Sequence, residues 1–294
     1  MSLNLEEIFK CKNITTSTLE LYKSKLNILN DNKTINDINF LSNIDKIKDK
    51  IAHLKPNTQR SYIIAITSIL KCMSSGTKSS KKIVELYNTY SKLLEQYNTD
   101  LKDQSNNNTN VISIDKIKDI YNNLKLNKNK SKQAYQDYLI VSLYYLIPPR
   151  RNKDYQLLKY VSRYNDNLSN DFNYYDGDKL YFNNYKTKGT YNKVIIKAPT
   201  ELKIILDDYI DDMEINNNDY ILTSWRTGKP LTTNNSITVI LNRIFKDKIG
   251  SSALRRSYLT NKYGDMQQEL INDVANMSTS TTTATNNYIK KKKI

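Results

Sequence analysis

The sequence predicts a mainly α-helical chain with a small β-hairpin or sheet (an α+β class), in two domains: residues 1–103, and residues 111–294 after a linker at 104–110. Three observations carry this reading. Apolar residues recur at three- and four-residue spacing through the first hundred positions. A polar stretch without periodicity, Asp103 to Asn110 (DQSNNNTN), then interrupts the pattern. Beyond Pro148-Pro149 the period switches towards alternation on either side of Lys188-Gly189-Thr190, which is a hairpin signal.

In the N-terminal part, short helices are predicted around Leu19–Leu29 and Ile47–Leu54. Tyr62, Ile63, Ile66, Ile69 and Leu70 then mark a helix over residues 58–73, with Asn57 as N-cap after Pro56. Ile83, Leu86, Tyr87, Tyr90, Leu93, Leu94, Tyr97 and Leu101 hold a 3-4 spacing over five turns, the strongest helical pattern of this half. His53, the single histidine, falls at a helix end.

In the C-terminal part, residues 114–124 and 133–147 are helical by pattern, and Pro148-Pro149 stops the second. Strands are expected at Lys179–Asn184 and Lys193–Lys197. Pro199 suits the first turn of a helix running to about Met213. Polar patterns place further helices at 235–248, 252–263, 266–277 and 281–290. Trp225, beside Arg226 and a Thr227-Gly228-Lys229-Pro230 turn, reads as a packing anchor, and Tyr258 and Tyr263 read as core residues.

The 294 residues carry 45 Lys and Arg against 30 Asp and Glu, a net charge of +15. Such a surplus points to a polyanionic partner. It is spread over both parts, and much of it is Lys, which with Asn, Ile and Tyr also reflects AT-rich coding. One His and two Cys fall short of a zinc site of the usual ligand count. Cys11 and Cys72, far apart in sequence, read as free thiols in a reducing compartment. No Gly-rich phosphate loop occurs, which argues against nucleotide-driven motors and dinucleotide enzymes. The longest apolar run, residues 138–147, is too short for a bilayer, and MSLNLEEIFK lacks a signal-peptide core. The expectation is a soluble, intracellular, basic protein, without metal, cofactor or nucleotide, and away from membranes.

Arginine is scarce, yet four of the eight sit in two doublets, Arg150-Arg151 and Arg255-Arg256. A guanidinium grips a phosphate bidentately, which a Lys ammonium cannot copy. Four segments follow one another: Pro148-Pro149-Arg150-Arg151-Asn152-Lys153-Asp154; Tyr185-Lys186-Thr187-Lys188-Gly189; Ser252-Ala253-Leu254-Arg255-Arg256-Ser257; and Met277-Ser278-Thr279, with Tyr288 nine residues after Thr279. Together they hold parts for phosphoryl transfer to a protein hydroxyl. Two Arg stabilise charge on a pentacoordinate phosphorus, a Tyr attacks it, and a Lys protonates the leaving oxygen.

The order and spacing of these segments resemble the tyrosine recombinase and integrase family, over roughly residues 110–294. The resemblance implies a catalytic domain preceded by a helical core-binding domain. It implies Arg151, three residues before Asp154, as the first catalytic arginine, with Arg150 the alternative in a register shifted by one. It further implies Lys186 as the hairpin lysine (Lys188 second), Arg255 as the second arginine, and Tyr288 as the nucleophile. Ser252 stands where the family usually has His, and Thr279 where it has His or Trp; both can hydrogen-bond a phosphate. Arg150, Lys188, Arg256, Lys290 and Lys291 are the further DNA contacts. The implied activity is site-specific strand cleavage and rejoining through a 3′-phosphotyrosyl intermediate, on double-stranded DNA, by a dimer or tetramer, as in integrases of large DNA viruses, virophages and mobile elements. Two alternatives stand beside it: a DNA-binding protein of the same fold with impaired catalysis, and a type IB topoisomerase-like enzyme that relaxes DNA as a monomer.

Overall fold

The computed structural model describes residues 3–75, 80–106, 111–233 and 235–289. The chain divides into two compact units, Met1–Thr109 and Asn110–Ile294. It is 61% helical and 6% strand, so it is mainly α with one small sheet. No described helix is long and apolar enough to cross a membrane.

The first unit contains helices α1 (Leu5–Phe9), α2 (Thr16–Leu29), α3 (Ile44–Ile51), α4 (Pro56–Ser74) and α5 (Lys81–Asn106). Their starts follow from local chemistry. The side chains of Asn4, Thr15 and Asn43 accept first-turn N–H groups, and Pro56 sits where a missing N–H costs nothing. Ile63, Ile66, Ile69 and Leu70 of α4 are fully buried with Leu26, Ile47 and Tyr90, whose hydroxyl donates to the Leu41 carbonyl at 2.9 Å. Helix α5 runs to Asn106, so the first residues read as linker continue the helix. His53 is exposed in the turn after α3.

Cys11 and Cys72 are joined by a disulfide, which corrects the reading of free thiols. Sequence separation says nothing of spatial separation once helices pack. Helix α1 lies against α4 and brings the two Cα atoms to 5.6 Å.

The second unit is built around α7 (Lys132–Tyr145), buried at every position from Tyr135 to Tyr144. Helix α6 (Ile114–Asn127) packs against it, as do α10 (Thr200–Asp212) and α11 (Ser236–Phe245). Helix α8 (Asn152–Gln156) leads into a sheet of four strands in the order β1 (Leu158–Tyr160), β2 (Asn173–Tyr175), β3 (Lys179–Phe182) and β4 (Val194–Lys197). β1 and β2 are parallel, and the other pairs antiparallel. The expected hairpin is β3–β4, with Phe182 opposite Val194. A four-residue helical turn, α9 (Lys188–Tyr191), occupies its tip. β1 and β2 escaped the sequence reading because each has three residues, too few to show a period.

The two helices expected at 252–263 and 266–277 are one, α12 (Ser251–Asn276), with Gly264 inside it. A Cβ at Gly264 would meet only Thr260 Cγ2, at 3.6 Å, an ordinary contact. Gly264→Ala is therefore expected to stabilise the fold by about 0.5–1 kcal/mol, measured as a raised thermal midpoint. A break in the helix at this point would leave no such gain. The final expected helix is a short turn, α13 (Thr281–Thr283), continued as a π-turn over Ala284–Tyr288.

Candidate functional site

Pro148 and Pro149 end the α7 segment and turn the chain so that Arg150 and Arg151 precede α8. The Arg151 carbonyl accepts the Asp154 N–H at 2.9 Å, which starts that helix. The segment is tied down on both sides. Tyr144 donates its hydroxyl to Asn152 Oδ1 at 2.6 Å, and Asn152 Nδ2 donates to Thr238 of α11 at 2.8 Å.

Asp154 pairs with Arg150 and not with Arg151, the arginine three residues before it. Arg150 Nε lies 2.9 Å from Asp154 Oδ2, with only 15% and 3% of the two side chains exposed. The Arg150 guanidinium also stacks 3.8 Å over the Phe182 ring and 5.0 Å from that of Tyr185. Residues 150 and 154 are four apart, a spacing that brings their side chains together where the chain enters α8, and Arg151, at its N-cap, makes no ion pair with Asp154. Burial pushes the Asp154 carboxyl above the ordinary range, against the opposing pull of Arg150 and Arg151. Its Oδ1 is buried without a hydrogen-bond partner.

A residue that sequence reasoning missed fastens this segment to the hairpin. Asn173 of β2 is fully buried. Its Nδ2 donates to the carbonyls of Asp154 (2.7 Å) and Asn184 (3.1 Å), and its Oδ1 accepts the N–H groups of Asn183 (2.9 Å) and Asn184 (2.8 Å). Asn is frequent in this chain, so nothing in the sequence distinguished it.

The result is a cavity of about 270 Å³. Arg150, Arg151 and Asp154 line one part of it, Tyr185, Thr187 and Tyr191 of the hairpin tip another, and Arg255 of α12 a third. Two of the four sequence segments thus converge on it with the arginine of a third. Leu254 and Ser257 are buried, and the Ser257 hydroxyl accepts the Ile112 N–H at 2.8 Å, which fixes the turn of α12 that carries Arg255. Neither Arg151 nor Arg255 has an acidic side chain within ion-pair distance among the described residues.

The remaining candidates lie around or away from this cavity. Lys186 and Lys188 are exposed on the hairpin tip, either side of Thr187. Ser252 and Arg256 are exposed on the first turns of α12. Thr279 is half-buried after the end of α12, its N–H bonded to the Val274 carbonyl at 2.9 Å. Tyr288 is 64% exposed at the end of the π-turn and is not among the cavity-lining residues. Lys290 and Lys291 fall outside the described residues. Trp225, read as a packing anchor, is 46% exposed under the Arg226 guanidinium at 4.7 Å; Tyr263 is 45% exposed and Tyr258 half-buried, so neither of these two is the core residue it was read as. Among the buried tyrosines, Tyr155 donates its hydroxyl to the Leu143 carbonyl and Tyr175 to Asp207, both at 2.7 Å, while the Tyr135 hydroxyl is buried without a partner.

No protein-family model, no curated protein and no solved structure matches the chain.

Proposed function

We propose that the chain cleaves and rejoins duplex DNA through a covalent phosphotyrosine, as tyrosine recombinases and integrases do. One observation carries the reading: two arginines without acidic partners among the described residues, Arg151 and Arg255, line one partly enclosed cavity at the base of a lysine-bearing hairpin. Unpaired guanidiniums on a cavity wall are suited to an anion, and two of them to the nonbridging oxygens of one phosphodiester. Arg150 is the brace, held by Asp154 and the Phe182 ring.

In this reading the Tyr288 hydroxyl attacks the phosphorus. The new bond is between Tyr288 Oη and phosphorus, the bond to the 5′ oxygen breaks, and the phenol proton passes to solvent water, to which Tyr288 is open. Lys186 protonates that oxygen as it leaves. Arg151 and Arg255 neutralise the charge that accumulates on the phosphoryl oxygens. Rejoining is the reverse, with a 5′ hydroxyl as nucleophile. Lysines elsewhere on the surface supply sequence-independent phosphate contacts.

The test is a nicked duplex that lets the cleaved fragment diffuse away, so that the covalent protein–DNA species accumulates. Wild-type protein is expected to form it. Arg255→Ala is expected to slow its formation by about 10²–10³-fold while changing DNA affinity little. A second reading is favoured by the position of Tyr288 outside the cavity lining and by Ser252 and Thr279 in place of imidazoles. In it, the chain binds DNA without cleaving it. Normal binding with no adduct would establish that reading over the first.

A further inference from the structure

Helix α12 carries an apolar seam that the described residues leave largely uncovered. Leu259, Tyr263, Met266 and Leu270 follow one another at spacings of four, three and four, the a/d pattern of a two-helix seam. Leu259 is 54% exposed, Tyr263 45% and Met266 65%, while Leu270 is half-buried. One turn further on, Val274 is buried, and α13 packs against this helix, so the open seam ends near Leu270.

The charges beside the seam say what fits it. The N-terminal half of the exposed stretch carries Arg256 and Lys262, and the C-terminal half carries Asp265, Glu269 and Asp273. A second copy of the same helix laid parallel would set like charges side by side. Laid antiparallel, it sets basic against acidic at both ends. The apolar positions agree with the same register: Leu259 falls opposite the partner's Leu270, and Tyr263 opposite the partner's Met266. Lys262 and Glu269, each one residue before a seam position, then face one another across the pair. This is self-complementary, as a two-fold interface requires.

We propose that α12 is a homodimer interface, formed by antiparallel pairing of its 259–270 seam with that of a second copy. The seam spans about three turns, roughly 18 Å, so the dimer is weak and reversible. The pairing uses none of the cavity residues and does not depend on the proposed DNA chemistry.

Sedimentation of the full-length protein without DNA tests it. At protein concentrations of order 100 µM, where a micromolar dimer is nearly complete, the expected mass is twice that of the 34.3 kDa chain. Met266→Lys places a charge against the partner's Tyr263 and is expected to weaken the dimer at least about tenfold. Lys262→Glu and Glu269→Lys are each expected to weaken it, and the double swap to restore it, because both contacts are reversed together. Lys262 also lies 3.2 Å from the Tyr258 hydroxyl, so helicity by circular dichroism must be unchanged in each variant for the comparison to count. Monomeric wild type, indifference to Met266→Lys, or a double swap no better than the single ones would each overturn the proposal. A monomer whose DNA affinity falls with Met266→Ala would assign the seam to DNA instead.

Discussion

Tyr288→Phe is expected to abolish the covalent adduct with nicked duplex DNA, by at least about a thousandfold, and to leave duplex affinity within about twofold. The substitution removes one oxygen and no charge, so phosphate tracking by lysines is untouched while the nucleophile is gone. The control that gives this result its meaning is Tyr191→Phe. Tyr191 is the one tyrosine with a largely exposed side chain (67%) that lines the arginine cavity, whereas Tyr288 stands outside it with a comparable exposure of 64%. Placement alone favours Tyr191; order and spacing along the chain favour Tyr288, nine residues after Thr279. Tyr191 is expected to be dispensable for the adduct, because it shares the hairpin tip with Lys186 and contributes ring area there. Tyr288 is expected to reach the phosphate through its short π-turn, which α13 connects to α12. The opposite pattern, adduct lost with Tyr191→Phe and kept with Tyr288→Phe, would move the nucleophile to the hairpin and end the family-based assignment while keeping the chemistry.

What the sequence made legible follows from which forces leave a mark along the chain. The 3-4 pattern of α5 and the alternation of β4 were readable because one face of each is more buried than the other, whereas β3, buried from Leu180 to Phe182, shows as a short apolar run. Helix α7 was readable as a continuous apolar run ended by Pro148-Pro149, which is what burial on every side demands. The joining of α12 across Gly264 was not: the outer half buries almost nothing, and its apolar spacing crosses Gly264-Asp265, two residues of low helix propensity. The arginine doublets were visible through their rarity. Their division of labour was not: whether Arg150 or Arg151 meets Asp154 depends on where α8 begins, and a one-residue shift exchanges the brace for the free guanidinium. Tyrosine hid more than any other residue. A buried Tyr counts as apolar in a pattern, yet Tyr90, Tyr155 and Tyr175 each direct a hydroxyl to a specific acceptor that periodicity cannot reveal.

Asn173→Ala is expected to destabilise the second unit by about 3–5 kcal/mol, the largest effect of any single change to a residue that does not touch the proposed substrate. The side chain is fully buried and makes four hydrogen bonds, all to backbone. Alanine leaves two carbonyls and two N–H groups without those partners, those of Asp154 and Asn183 buried and those of half-buried Asn184 less so, at about 1–3 kcal/mol for each group that finds no other. The loss falls where it matters for the site. Asn173 is the link between the Asp154 backbone, which positions Arg150, and residues 183–184, which begin the hairpin tip carrying Tyr185, Lys186 and Thr187. A denaturant or thermal titration should therefore show a fall in midpoint of about 10 °C or more. Below the new midpoint, adduct formation should slow while DNA affinity stays close to that of wild type, because the lysines that track phosphate lie elsewhere. Asn173→Asp separates the two contributions. It keeps an acceptor for the N–H groups of Asn183 and Asn184, loses both donors, and adds a buried negative charge beside the already unfavourably buried Asp154. It should be at least as damaging as alanine near neutral pH and recover as the pH is lowered and the new carboxyl protonates. A loss under about 1 kcal/mol for Asn173→Ala, or an aspartate variant indifferent to pH, would mean that the hairpin and the arginine segment are held together by packing alone.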